Sequence, residues 1–198
     1  VRYFSRRAVG TAAVAIAAAC TSYSARPDDP SQDGGSNASA DGSDAADAAV
    51  RFSNGDFELG CTDWASNVSI LTDDTTAHTG TKSCRVCAND RTSWSIQQLV
   101  TTPVAPGSVY SASAFIRAAP DAQAADGVVE TLYVVDDDGG LDPNPASTSG
   151  TNPGASWQQI AITVTVPAGG GEGIEMSISG DSFGGCFLID DAELVRVH

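Results

Sequence analysis

Between residues 51 and 198, apolar and polar positions alternate in short runs, and clusters of turn-forming residues separate one run from the next. The clearest run is 157–166. There Ile160, Ile162, Val164 and Val166 share one side of an extended chain, and Gln159, Thr163 and Thr165 share the other. A period of two marks a strand with one face buried. The same pattern predicts strands at 68–71, 82–87, 95–100, 109–117, 128–135, 174–179 and 186–197. Between them lie Ala105-Pro106-Gly107, Asp136-Asp137-Asp138-Gly139-Gly140 and Ala168-Gly169-Gly170-Gly171, which are turn and loop chemistry. The nearest approach to a helix, 119–125, is short and contains Pro120, so it reads as loop. Short strands of this kind over one domain's length predict an all-β fold, a β-sandwich of the jelly-roll type.

The first fifty residues follow a different rule. Arg2, Arg6 and Arg7 form a basic head, and the run from Ala8 to Ala19 is apolar and ends in small residues. It is too short to span a bilayer and has the anatomy of a cleaved export signal. Ala17-Ala18-Ala19-Cys20 resembles a bacterial lipobox, with Ala17 where a Leu is usual. That resemblance implies a lipoprotein signal at 1–19 and lipidation of Cys20; a plain secretory signal is the alternative. Residues 20–50 are mostly Ser, Asp, Ala, Gly and Pro, with one aromatic, Tyr23. Such a composition buries too little surface to offset the entropy of ordering, so it reads as a disordered acidic tether. The folded domain is expected at 51–198, working outside the cytoplasm at the cell envelope, either lipid-anchored or secreted.

The chain has 10 basic and 25 acidic side chains, a formal charge of −15. That balance argues against a nucleic-acid partner, whose phosphates call for a basic face. It argues equally against electrostatic binding to anionic lipid, which leaves the lipid anchor as the only membrane contact. Neutral partners and cations such as calcium are compatible with it.

With Cys20 assigned to lipid, Cys61, Cys84, Cys87 and Cys186 remain. Four cysteines in an oxidising compartment read as two disulfides. Cys84 and Cys87 lie three apart on an expected strand, so they face opposite ways and do not pair together. Each reaches Cys61 or Cys186. A zinc site is the competing idea, but the chain has only one pair at the spacing such sites use.

Several segments carry a family likeness. They begin with Asn54-Gly55-Asp56-Phe57-Glu58-Leu59-Gly60 followed by Trp64, and continue with His78-Thr79-Gly80-Thr81-Lys82-Ser83-Cys84-Arg85-Val86. Pro106-Gly107-Ser108-Val109-Tyr110 with the strand after it, Trp157 with its strand, and Phe187-Leu188-Ile189-Asp190-Asp191-Ala192-Glu193-Leu194 complete the series. Over residues 52–197, and in this order, the chain resembles the carbohydrate-binding modules of families 4, 9 and 22. The resemblance implies a β-jelly roll, a polysaccharide or glycan as partner, and in many members a structural calcium ion. Carried over by position, the calcium donors would be Asp56, Glu58, the main chain at Lys82, and Asp190 or Asp191. Calcium takes six to eight oxygens, which such a set could supply from distant strands. Asp190 also alternates in step with Leu188, Ala192 and Leu194, and a carboxylate on an apolar face needs a partner.

A sugar site needs a flat aromatic face and a few polar groups that fix hydroxyls. The resemblance makes core residues of Trp64 and Trp157. It points to Trp94 as the platform in an aromatic-lined cleft; Arg91 and Gln97 stand beside it as hydrogen-bonding neighbours, and Tyr133, from its place on the 128–135 strand, is a second platform. The Asp136–Asp138 run lacks the closing glutamate of an EF-hand and reads as an acidic turn. No enzyme is expected. The histidines are His78 and the terminal His198, Lys82 is the one lysine of the domain, and no nucleophile stands in a recognisable elbow. Two readings follow: a monomeric, non-catalytic glycan-binding domain displayed on the envelope, or a jelly-roll lipoprotein with a structural or protein-interaction role.

Overall fold

The computed structural model describes residues 50–89, 94–148, 150–180 and 185–197. The export signal, Cys20 and nearly all of the tether lie outside the described residues, as do Arg91 and His198. The described chain forms two sheets packed face to face. In chain order the strands are β1 (Ala65–Asn67), β2 (Ser69–Asp74), β3 (Ser83–Ala88), β4 (Trp94–Val100), β5 (Val109–Ala118) and β6 (Gln123–Ala124). They continue with β7 (Val129–Val135), β8 (Ala146–Ser147), β9 (Gln158–Thr165), β10 (Gly173–Gly180) and β11 (Gly185–Arg196). The first sheet runs β1-β4-β10-β7-β8 and the second β2-β3-β11-β5-β9, both antiparallel throughout. The short β6 adds to β11 in parallel. This is the expected all-β sandwich.

Alternation builds the core. On β10, Ile174, Met176 and Ile178 are buried while Glu175, Ser177 and Ser179 face out. On β5, Tyr110, Ala112, Ala114 and Ile116 point inward in the same rhythm. With Ile96, Leu132, Phe187 and Ile189 they form one continuous core between the sheets. Fully burying each of the Ile, Leu, Met and Phe side chains contributes about 1.5–3 kcal/mol.

A smaller cluster lies on the outer side of the second sheet, where Ala119, Cys186 and Leu188 are covered by Cys87, Ala122 and Trp157. Trp157 thus belongs to this outer cluster, while Trp64 packs in the main core as expected. The loop that contains β6 reaches across here, held by Arg85, whose Nη1 lies 2.7 Å from Asp121 and 3.7 Å from Asp74.

The disulfides are Cys61–Cys84 and Cys87–Cys186. Cys84 and Cys87 sit on opposite faces of β3, so one bond ties β3 to the opening loop and the other ties it to β11. The zinc reading falls with them.

The opening loop shows why its residues are there. Asn54 donates from Nδ2 to the carbonyls of Gly60 and Thr62 and accepts from the Leu59 N–H. Phe57 is buried and stacks on Trp64 at 5.0 Å, and the Trp64 indole donates to the Asn54 carbonyl. Gly55 is required by contact: a Cβ there would stand 2.2 Å from the Ala192 carbonyl oxygen. That carbonyl belongs to a bulge in β11, where register shifts between Asp190 and Glu193 and Asp191 takes a positive φ of 46°.

Candidate functional site

The outer face of the first sheet carries a groove of about 260 Å³. Its floor is a grid set by strand register. Leu99, Glu175 and Tyr133 stand side by side on β4, β10 and β7; Gln97, Ser177 and Thr131 make the next row; Ser95 and Ser179 follow, with Asn67 of β1 beside Ser95. Leu141 closes the Tyr133 end. The grid follows from sequence because every second residue of these strands must face away from the core. Tyr133 offers a half-exposed ring. Around it lie an amide, hydroxyls and one carboxylate. Burial raises the Glu175 pKa from its ordinary value.

Two of the four expected ligand residues, Gln97 and Tyr133, meet in this groove. Arg91 lies outside the described residues. Trp94 is a correction. It is 0 % exposed and stacks on Phe187 at 5.4 Å between the sheets, so it offers no face to a ligand. The reason is parity: β4 begins at Trp94, which shares the inward side with Ile96 and Gln98. Glu175, Ser177, Ser95 and Thr131 were missed from the sequence. The strict alternation of 174–179 was the signal that could have exposed the first two.

The residues implied for calcium form two separate clasps on one turn. Glu58 accepts from the Thr81 and Lys82 N–H groups with Oε1, at 2.7 and 3.1 Å, and from the Thr81 hydroxyl with Oε2. These bonds, the Thr81 N–H first, lower the Glu58 pKa. Asp190 is fully buried and accepts from the N–H groups of His78 and Thr79, and from that of Asp191. Burial raises the Asp190 pKa, and the His78 N–H works against it. Asp191 takes the Thr79 hydroxyl at 2.8 Å and stands 2.6 Å from His78 Nδ1. Asp56 is exposed and accepts only a long bond from the Glu58 N–H. Among the described residues no three His, Cys, Asp or Glu side chains are placed to hold a metal ion. In this arrangement the carboxylates of Glu58, Asp190 and Asp191 clasp the 78–82 turn through N–H and O–H donors, Lys82 contributing its N–H to Glu58.

His78 also stacks on Phe115 at 3.7 Å and meets Trp157 edge-on at 5.8 Å, with Arg117 over the Trp157 ring. This cluster lies on the second sheet, away from the groove. The Asp136 turn is an acidic hairpin, as expected: Asp136 Oδ1 accepts from the N–H groups of Asp138 and Gly140. Within the core, Glu130 is 0 % exposed and neither carboxylate oxygen has a hydrogen-bond partner. Burial pushes its pKa up to about 8.

Residues 51–182 match the family described as Carbohydrate binding domain (CBM 4/9). The chain belongs to that family, a non-catalytic type of sugar-binding domain. Solved structures share the fold at low identity. The CBM22-1 xylan-binding domain from Paenibacillus barcinonensis Xyn10C superposes with a TM-score of 0.60 at 14% identity, covering 75% of this chain and 93% of that one. A Family 16 Carbohydrate Binding Module-2 gives 0.53 at 18% identity, covering 73% and 98%. The enzymatically active domain of bacteriophage CBA120 tailspike protein 4 gives 0.60 at 13% identity, but the chain spans only 21% of it while 73% of this chain is covered. Among curated proteins no relative matches the chain.

Proposed function

We propose that the domain binds a glycan chain along the groove of the first sheet. The observation that carries this is the juxtaposition of the Tyr133 ring with the outward-facing Gln97, Ser177, Thr131 and Glu175. An apolar sugar face lies on an aromatic ring while amide, hydroxyl and carboxylate groups engage the hydroxyls. The family match and the xylan-binding neighbour support the class of ligand, and the particular glycan is part of the test. In this reading the domain is displayed outside the cytoplasm, held by lipid on Cys20 and spaced from the membrane by residues 20–50. The acidic, Gly- and Ser-rich make-up of that segment suits a flexible spacer.

The test is calorimetric titration of the full chain with soluble xylan, β-glucan and mannan oligosaccharides. Saturable binding to one of them, weakened by Tyr133→Ala with the fold intact, is the expected result. No heat with any glycan would move the function to scaffolding or protein interaction at the envelope. Intact mass of the chain isolated from a bacterial host, compared with Cys20→Ala, tests the anchor.

A further inference from the structure

Glu175 stands on the middle strand of the groove floor, in the row at the Tyr133 end. It lies on β10, the middle strand of the first sheet, flanked by Leu99 on β4 and Tyr133 on β7. Among the described residues nothing bonds to its carboxylate, and the other residues lining the groove carry no charge. Partial burial already penalises that negative charge, as its raised pKa reflects. Beyond Leu141 lie Asp142 and the 136–138 acidic turn, and the chain as a whole carries −15. The field at the groove mouth is therefore negative.

We infer that Glu175 sorts glycan chains by charge, so that amine-bearing chains bind tighter than neutral ones and uronate-bearing chains bind weakest. This inference rests on the glycan-binding reading above. A protonated amine brings N–H donors and an opposite charge to a carboxylate that has neither. A neutral sugar brings O–H donors alone. A uronate sets like charge against a half-buried one, which is penalised.

The experiment uses the full chain near pH 6, where glucosamine amines carry protons, at fixed salt. Three probes share a β-1,4-linked glucose-type backbone: chitosan oligosaccharide, cello-oligosaccharide and oxidised cello-oligosaccharide bearing uronates. Unsubstituted and glucuronate-substituted xylan form a second neutral–acidic pair. Each step in charge is expected to change Kd about three- to tenfold. Glu175→Gln is expected to level the series, since the amide keeps an oxygen acceptor but no charge, and the readout is the ratio of Kd values between probes rather than the Kd for neutral chains.

Asp137→Asn makes the same change in net charge outside the groove and is expected to keep the order. Glu175→Ser, matching the neighbouring serines, repeats the test, with far-UV circular dichroism checking the fold of each variant. Any other order in the original chain, or an order that survives in both Glu175 variants, overturns the inference and leaves glycan binding standing. Failure to bind every probe and the glycans of the preceding section overturns the glycan-binding reading itself.

Discussion

Trp94 and Gly180 are cross-strand partners, and a Cβ on Gly180 would stand 2.6 Å from the indole Cζ2. The glycine gives the indole room to lie flat in the core and reach Phe187. Gly180→Ala forces the ring to move in a close-packed interior, at a cost of about 1–3 kcal/mol. Denaturant unfolding of the alanine variant checks this; a loss below about 0.5 kcal/mol would mean the ring adapts freely.

The same burial separates Trp94 from binding. Trp94→Phe is expected to destabilise the fold while leaving glycan Kd unchanged. Tyr133→Ala is expected to weaken binding about tenfold, the worth of one aromatic–sugar contact, with little change in melting temperature. Calorimetry and thermal melts on both variants decide it, and an exchange of the two effects would return Trp94 to the site.

Glu130 makes stability depend on pH in an unusual direction. Its folded pKa of about 8 lies above the ordinary 4.5 of an unfolded glutamate. Below both values the proton is present in both states and nothing is lost. As pH rises between them, the unfolded chain gives up the proton while the folded chain keeps it, so stability falls until it levels off near pH 8. The fall approaches about 1.4 kcal/mol per pH unit within that window. Glu130→Leu is expected to remove this slope and to raise stability at pH 8 by several kcal/mol, about 3 in order of magnitude. Unfolding free energies at pH 5, 6.5 and 8 for both chains test it, and parallel curves would show that Glu130 finds a partner.

The clasps on the 78–82 turn predict independence from added metal. Because N–H and hydroxyl donors already serve Glu58, Asp190 and Asp191, a chelator is expected to shift the melting temperature by less than about 2 °C. Glu58→Ala, which removes the acceptor of the Thr81 and Lys82 N–H groups, is expected to lower the melting temperature whether or not calcium is added. A large drop on chelation, restored by calcium, would show that the cation replaces those donors.

The two disulfides differ in the loops they close. Cys61–Cys84 spans 23 residues and Cys87–Cys186 spans 99. Chain entropy alone gives about 3 kcal/mol for the first and about 5 kcal/mol for the second. Replacing Cys87 and Cys186 together by Ala is therefore expected to destabilise more than replacing Cys61 and Cys84. Equilibrium unfolding of the two double variants measures the difference, and the reverse order would point to native packing of the buried Cys84 as the larger effect.

The long strands were legible because each has an apolar face, which writes a period of two into the chain. β1, β6 and β8 were not, since two or three residues, one of them alanine and the rest polar, carry no period. Trp94 was misjudged by one position: with the strand begun at Ser95, its parity with Ile96 was hidden. Gln97 and Tyr133 reached the groove because they oppose inward neighbours on their own strands. Glu175 was passed over since a lone acidic residue among alternating apolar ones looks like any solvated strand position. Only the pairing of β10 between β4 and β7 puts it beside Tyr133. Trp157 was read as sandwich core from the family likeness, although on its own strand it shares the parity of Gln159, Thr163 and Thr165 rather than that of Ile160 and Ile162.

The cross-links and the groove occupy different halves of the molecule. Both disulfides and both carboxylate clasps join β3, β11 and the loops beside them, whereas the groove side chains stand on β1, β4, β10 and β7 and in the turn at Leu141. Outward residues on those strands contribute little to the core, so changes there and changes to the staples add nearly independently. Natural variation can therefore redraw the recognition face residue by residue while the reinforced side carries the fold, and the same division makes this domain a ready template for grafting new specificities.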